Sequence, residues 1–129
     1  MAGLTPQEPA VDGSAEPGSR TLRPGTSVAI TVPGSTANLG SGFDAVGMAL
    51  GVLDAYEVHV LDQPGHLEVV LKGEGAAVVP ADETHLVARH LREALAACGT
   101  DWLEGYGLRL VCRNGVPMSA GLGSSAAAI

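Results

Sequence analysis

Two stretches of this chain hold the residues whose types and spacing suit chemistry. The first is Pro117-Met118-Ser119-Ala120-Gly121-Leu122-Gly123-Ser124-Ser125-Ala126-Ala127. Its glycines can take backbone angles closed to other residues. Serine is a preferred helix N-cap and alanine the best helix former, so the pattern is a glycine loop turning into a helix start. Orphan N–H groups and the helix dipole both favour negative charge at such a point. The chemistry expected there is anion binding, above all of the phosphates of a nucleotide. A Gly/Ser turn that joins strand to helix and holds no ligand is the plain alternative.

Gly121-Leu122-Gly123-Ser124-Ser125-Ala126 also fits the dinucleotide fingerprint G-x-G-x-x-G/A. That fingerprint wants its glycines directly after a strand and an acid roughly 20 residues later. Here Arg113-Asn114-Gly115-Val116-Pro117 intervenes, and the sequence reaches only Ile129. The Walker pattern fails because no lysine follows Gly123.

The second stretch is Pro33-Gly34-Ser35-Thr36-Ala37-Asn38-Leu39-Gly40-Ser41-Gly42-Phe43-Asp44. Its small residues let the backbone approach a ligand closely. Asn38 offers donors and an acceptor, and Asp44 a carboxylate that can pair with an ammonium. Both residue types are also common in turns, where they bond their own backbone.

The elements that position these stretches follow from periodicity. Val28, Ile30 and Val32 alternate with Ala29 and Thr31 as a half-buried strand, which Pro33-Gly34 should stop. Ala45 to Leu53 is apolar and glycine-spaced, and predicts a buried strand or close-packed segment. Tyr56, Val58 and Val60 form a further strand, and Gln63-Pro64-Gly65-His66 predicts a hairpin turn into an antiparallel partner at Leu67 to Leu71. Asp82-Glu83-Thr84 opens a helix with apolar Val87, Leu91, Leu95 and Cys98, polar His85, Arg89, Arg92 and Glu93, and Gly99 as its stop. At about 100° per residue, His85 and His90 lie some 140° apart and cannot share a metal. His59 and His66 show no ligand spacing and are expected at the surface. A last strand, Leu108 to Cys112, leads to the glycine loop. Nothing in the sequence brings together a Ser-His-Asp or Cys-His set. Strands that outnumber helices, with antiparallel pairs implied, make the class α+β.

Composition narrows the function. Of 129 residues, 46% are hydrophobic, an ordinary share for a globular domain. The net charge of −7 and the single lysine, Lys72, argue against nucleic-acid binding, where clustered cations supply affinity. They leave a nucleotide open, since backbone donors and a bound cation can neutralise phosphate locally. Cys98 and Cys112 are expected to be buried free thiols of a cytoplasmic protein. No apolar run has the length of a membrane span. Residues 1–24 are rich in Pro, Gly, Ser and Glu and are expected to be a disordered extension ahead of one domain at 25–129. The presumed last helix is too short to stand alone, so the domain is expected to be incomplete at its C-terminal end.

Taken together, the two glycine-rich stretches carry a resemblance. Pro33 to Asp44, reading Pro-x-Ser-x-Ala-Asn-Leu-Gly-x-Gly-Phe-Asp, resembles the first motif of homoserine kinases. Pro117 to Ala127, reading Pro-x-x-x-Gly-Leu-Gly-Ser-Ser-Ala-Ala, is similar to the second motif of the wider GHMP small-molecule kinases. The resemblance runs from about Val28 onward and covers roughly the N-terminal half of such an enzyme. It implies a GHMP-kinase N-terminal domain, with a mixed or antiparallel sheet and helices on one side. It also implies transfer of the ATP γ-phosphate to the hydroxyl of L-homoserine, a step toward threonine. By that likeness Pro117 to Ala127 wraps the phosphates of ATP, the Ser125 hydroxyl meets Mg²⁺, and Asn38 and Asp44 bind homoserine. It assigns no catalytic base, and it leaves a homodimer open. The acidic Mg²⁺ partner and further substrate residues would lie beyond Ile129. Other readings are a mevalonate-type kinase of the same superfamily, or a fragment that binds nucleotide without catalysis.

Overall fold

The structure is a computed structural model that describes residues 22–37, 39–40 and 45–129. Four strands and one full helix make up its frame: β1 (Ser27–Ala37), β2 (Gly47–Leu61), β3 (Leu67–Gly73), α1 (Leu86–Ala97), β4 (Gly107–Asn114) and a short α2 (Ser124–Ala127). The sheet order is β1-β2-β4-β3, antiparallel except for the parallel pair β3 and β4. Mixed sheet and few helices bear out the α+β class.

Alternation along the strands decides which face is covered. Leu108, Leu110 and Cys112 of β4 stand opposite Val60, Val58 and Tyr56 of β2 and beside Leu67, Val69 and Leu71 of β3. On that face Ala88, Val87, Leu91 and Leu95 of α1 pack, with Tyr106, Trp102 and Leu103 closing one end. Leu108, Leu110 and Cys112 are fully buried, which makes β4 the spine of the core. The opposite face carries ion pairs, Arg109 with Glu68 at 3.3 Å and Arg113 with Glu57.

Several sequence expectations change. β3 does not pair with β2 as a hairpin; β4 lies between them and runs parallel to β3. Residues Pro64 and Gly65 turn the chain, but the central place goes to β4, whose Leu108, Leu110 and Cys112 are fully buried there. Pro33-Gly34 does not stop β1, which continues to Ala37 across a register shift between Pro33 and Ser35. Proline is tolerated there because β1 is an edge strand, where a missing N–H breaks no ladder. Residues 47–53 are not buried: they join the same long strand as Tyr56 and pair only with β1, leaving Met48, Val52 and Leu53 exposed. The helix begins at Leu86, not at Asp82, because the Asp82 carboxylate accepts the Thr84 N–H at 2.8 Å and its hydroxyl at 2.6 Å in a turn of its own. Those two bonds hold the exposed Asp82 carboxyl below the usual range.

Cys98 is exposed at the helix end, while Cys112 is buried as expected. His85, expected on the polar side of the helix, is only 4% exposed; it precedes the first helical turn and does not follow the helical period. Leu22, in the stretch read as an extension, packs on the Val60, Tyr106 and Leu108 cluster, and the Gly25 N–H donates to the Val60 carbonyl at 2.9 Å. No described helix is long and apolar enough to cross a membrane.

Candidate functional site: the glycine loop on the central strand

The glycine loop starts where β4 ends, and its stem is fixed by β2. Asp54 is 1% exposed, and its Oδ1 accepts the N–H groups of Gly115 and Val116, each at 2.8 Å. Its Oδ2 accepts the Tyr56 hydroxyl at 3.2 Å. Burial, then the Asp54 carboxylate beside it, holds the Tyr56 hydroxyl well above its ordinary pKa. The Cys112 thiol is pushed up to about 11 by burial and then by Asp54.

Beyond the stem, Val116 is fully buried and lies under Gly34, where an added Cβ would come within 3.3 Å of both its methyls. Met118 packs against Gly75 and so ties the loop to the turn after β3. Met118, Ser119, Ala120 and Gly121 then run exposed, with Ser119 at φ 58°. A side chain at Gly121 would meet open space. The far limb returns to the sheet: the Ser35 N–H donates to the Leu122 carbonyl at 2.8 Å. Gly123 takes φ 73°, ψ 22°, and its carbonyl accepts the Ala127 N–H at 2.9 Å to start α2.

Pro117 to Ala127 thus forms the loop-to-helix turn expected of it. Among the described residues, no acceptor is recorded for the N–H groups of Ser119 to Ala126. Ser124 is half-buried and Ser125 exposed. Asn38 and Asp44 lie outside the described residues. What is described is the frame that carries them: Ala37 pairs with Gly47, so the segment between is the connection of the β1–β2 ribbon. That ribbon leaves the sheet beside Leu122 and Gly123, so the two glycine-rich stretches meet at Ser35.

Asp54 and His85 line the candidate site, and sequence reasoning singled out neither for it. A cavity of about 110 Å³ lies between the loop, β2 and the start of α1, lined by Asp54, His85, Asn114, Met118, Ser124 and Ser125 among others. His85 Nδ1 is buried there with no hydrogen-bond partner among the described residues. Burial holds its imidazole below the usual histidine range, against the opposing pull of Asp82. A lone Asp inside an apolar strand, two residues before a Tyr, was the available signal for the first; nothing local marked the second. Among the described residues no group of three or more His, Cys, Asp or Glu side chains could hold a metal ion.

A mixed sheet covered by one helix, with a glycine loop leaving the end of β4, defines the α+β architecture of the described residues. The chain resembles the crystal structure of a homoserine kinase from Cytophaga hutchinsonii, with a TM-score of 0.65 and 25% identity over 84% of this chain and 33% of that one. The structure of a putative homoserine kinase from Listeria monocytogenes gives 0.56 and 28% over 80% and 33%. In sequence it is 51% identical over 107 residues to the homoserine kinase of Corynebacterium glutamicum, and 48% over 103 residues to that of Cutibacterium acnes. The chain spans about a third of the length of these relatives, 33% and 34%. No protein-family model matches it. Over that third, the chain is a relative of homoserine kinases in sequence and in fold.

Proposed function

We propose that this chain is the nucleotide-loop portion of a homoserine kinase, and that the complete protein moves the ATP γ-phosphate onto the side-chain hydroxyl of L-homoserine. The observation that carries this reading is the 2.8 Å bond from Ser35 N–H to the Leu122 carbonyl, because it seats the acceptor-side stretch against the phosphate-side loop.

The residues present fit a bound triphosphate. The loop is open at Gly121, its amides from Ser119 to Ala126 have no acceptor among the described residues, and the Ser125 hydroxyl is exposed beside them. Oriented backbone donors suit phosphate oxygens, and phosphoryl transfer depends on positioning and charge stabilisation more than on covalent help from the protein. Pro117 to Ala127 would wrap the phosphates and Ser125 would offer its oxygen to Mg²⁺. Mg²⁺, when bound, supplies positive charge to the transferring group. Asn38 and Asp44 would hold homoserine, with Asp44 toward its ammonium or hydroxyl. The hydroxyl oxygen forms the new bond to phosphorus as the bond to the ADP oxygen breaks. The protein would work in the cytoplasm, where ATP is at hand.

The test is ADP release driven by L-homoserine in the complete protein, with Asp44→Asn and Ser125→Ala beside the wild type. Each variant is expected to lose about 100-fold or more in kcat/KM, the usual effect of removing a contact made to the reacting groups. If both stay within a few-fold of wild type, these site assignments fail. Mevalonate in place of homoserine should give no turnover, and the 129-residue chain alone should give none with either.

A further inference from the structure

We infer that Asp54 is the positioning residue of the glycine loop, holding its stem at the angle from which the loop amides can converge on phosphate. This rests on the kinase reading above and adds to it a residue that neither glycine-rich stretch contains. One carboxylate oxygen takes two successive N–H groups, Gly115 and Val116, at the point where the chain leaves β4. The other oxygen is steadied by the Tyr56 hydroxyl, so the carboxylate cannot swing away from the stem. Hydrogen bonds then hold the loop at two places, Asp54 at the stem and Ser35 at Leu122, and Met118 packs on Gly75 between them.

A core position would be filled more cheaply by an apolar side chain, because burying a carboxylate costs free energy unless hydrogen bonds replace its water. Asp54 is 1% exposed and has those bonds. Their direction comes from the short aspartate stem, which sets one oxygen 2.8 Å from both N–H groups. A side chain one methylene longer keeps the charge and loses the direction. Asparagine keeps an oxygen at the same reach, and its amide can face the Tyr56 oxygen.

The experiment measures KM for ATP and KM for L-homoserine in the complete protein, wild type against Asp54→Ala, Asp54→Glu and Asp54→Asn, with thermal melting of each. Ala and Glu are expected to raise KM for ATP by about tenfold or more while KM for homoserine stays within about twofold, and Asn to recover most of the loss. A residue that only stabilised the fold would shift the melting temperature and leave both constants of the folded fraction together. That outcome overturns the inference, as does an unchanged KM for ATP in the Glu variant. If the Ala variant does not fold, the Glu and Asn pair decides. Failure of the wild type to show saturable ATP dependence would instead sink the kinase reading, and this inference with it.

Discussion

Ser35 and Leu122 lie 87 positions apart in sequence, and the Ser35 N–H donates to the Leu122 carbonyl at 2.8 Å. One backbone bond thereby joins the end of an edge strand to the far limb of the glycine loop. Gly123 stands next to it, and a Cβ there would run into the Ser35 hydroxyl and approach the Ser35 nitrogen to 3.2 Å. A side chain at this seam would force the Ser35 hydroxyl to turn away and the two backbones to part slightly.

Gly123→Ala therefore meets two penalties and Gly121→Ala one. Both positions have positive φ, 73° and 69°, which costs an L-residue roughly 1–2 kcal/mol. Only Gly123 adds a collision with Ser35, since nothing lies within 4 Å of a Cβ at Gly121. Gly123→Ala should lower the melting temperature more than Gly121→Ala, and raise KM for ATP more as well. Equal effects in melting and kinetics would show that the seam yields freely.

Burial separates two apolar residues on the same sheet face. Leu110 is fully buried in the central strand, while Ile30 on edge strand β1 is 55% exposed. Leu110→Ala should destabilise this chain by about 2–5 kcal/mol, the range for a leucine truncated in a packed core. Ile30→Ala should cost under about 1 kcal/mol, because little of its surface leaves water on folding. Urea unfolding of the two variants checks this. The exposed Val28 and Ile30 also border an apolar hollow shared with Tyr56, Val58, Leu91 and Ala94. The 129-residue chain should accordingly bind a hydrophobic dye while folded and aggregate on concentration.

What the sequence made legible was local. The strand centred on Val28 to Val32, the strand through Tyr56 to Val60, the helix through Leu91 and the loop at Gly121 and Gly123 were each written in periodicity or in turn residues. Strand partnership was not. Pro64-Gly65 specifies a reversal but not which strand zips against the one before it. That choice fell to Leu108, Leu110 and Cys112, whose side chains find the deepest burial between β2 and β3. The same limit hid Asp54, because its partners Gly115 and Val116 are brought to it only by the antiparallel register of β2 and β4. His85 was misplaced for a related reason: a helical wheel describes residues inside a helix, and His85 stands just before one.

That buried imidazole sets a pH dependence. Burial lowers the His85 pKa in the folded chain below its unfolded value, with the Asp82 carboxylate opposing the shift. The fold thus favours neutral His85, and its contribution to stability is fully present above the unfolded histidine value, about pH 6.5. As pH falls below that value the unfolded chain takes up the proton first, so stability declines until the folded imidazole also protonates. Glu57 and Asp82 are held low in the folded chain, by Arg113 and by Thr84 respectively, so their contributions are lost only at more acid pH, as the pH falls through the carboxylate range. Urea midpoints measured between pH 7.5 and 5 should fall for the wild type and fall less for His85→Gln, which cannot titrate. His59, His66 and His90 remain in both proteins and cancel from the comparison. A variant that loses stability as steeply as the wild type over this interval would show that some other group carries the dependence.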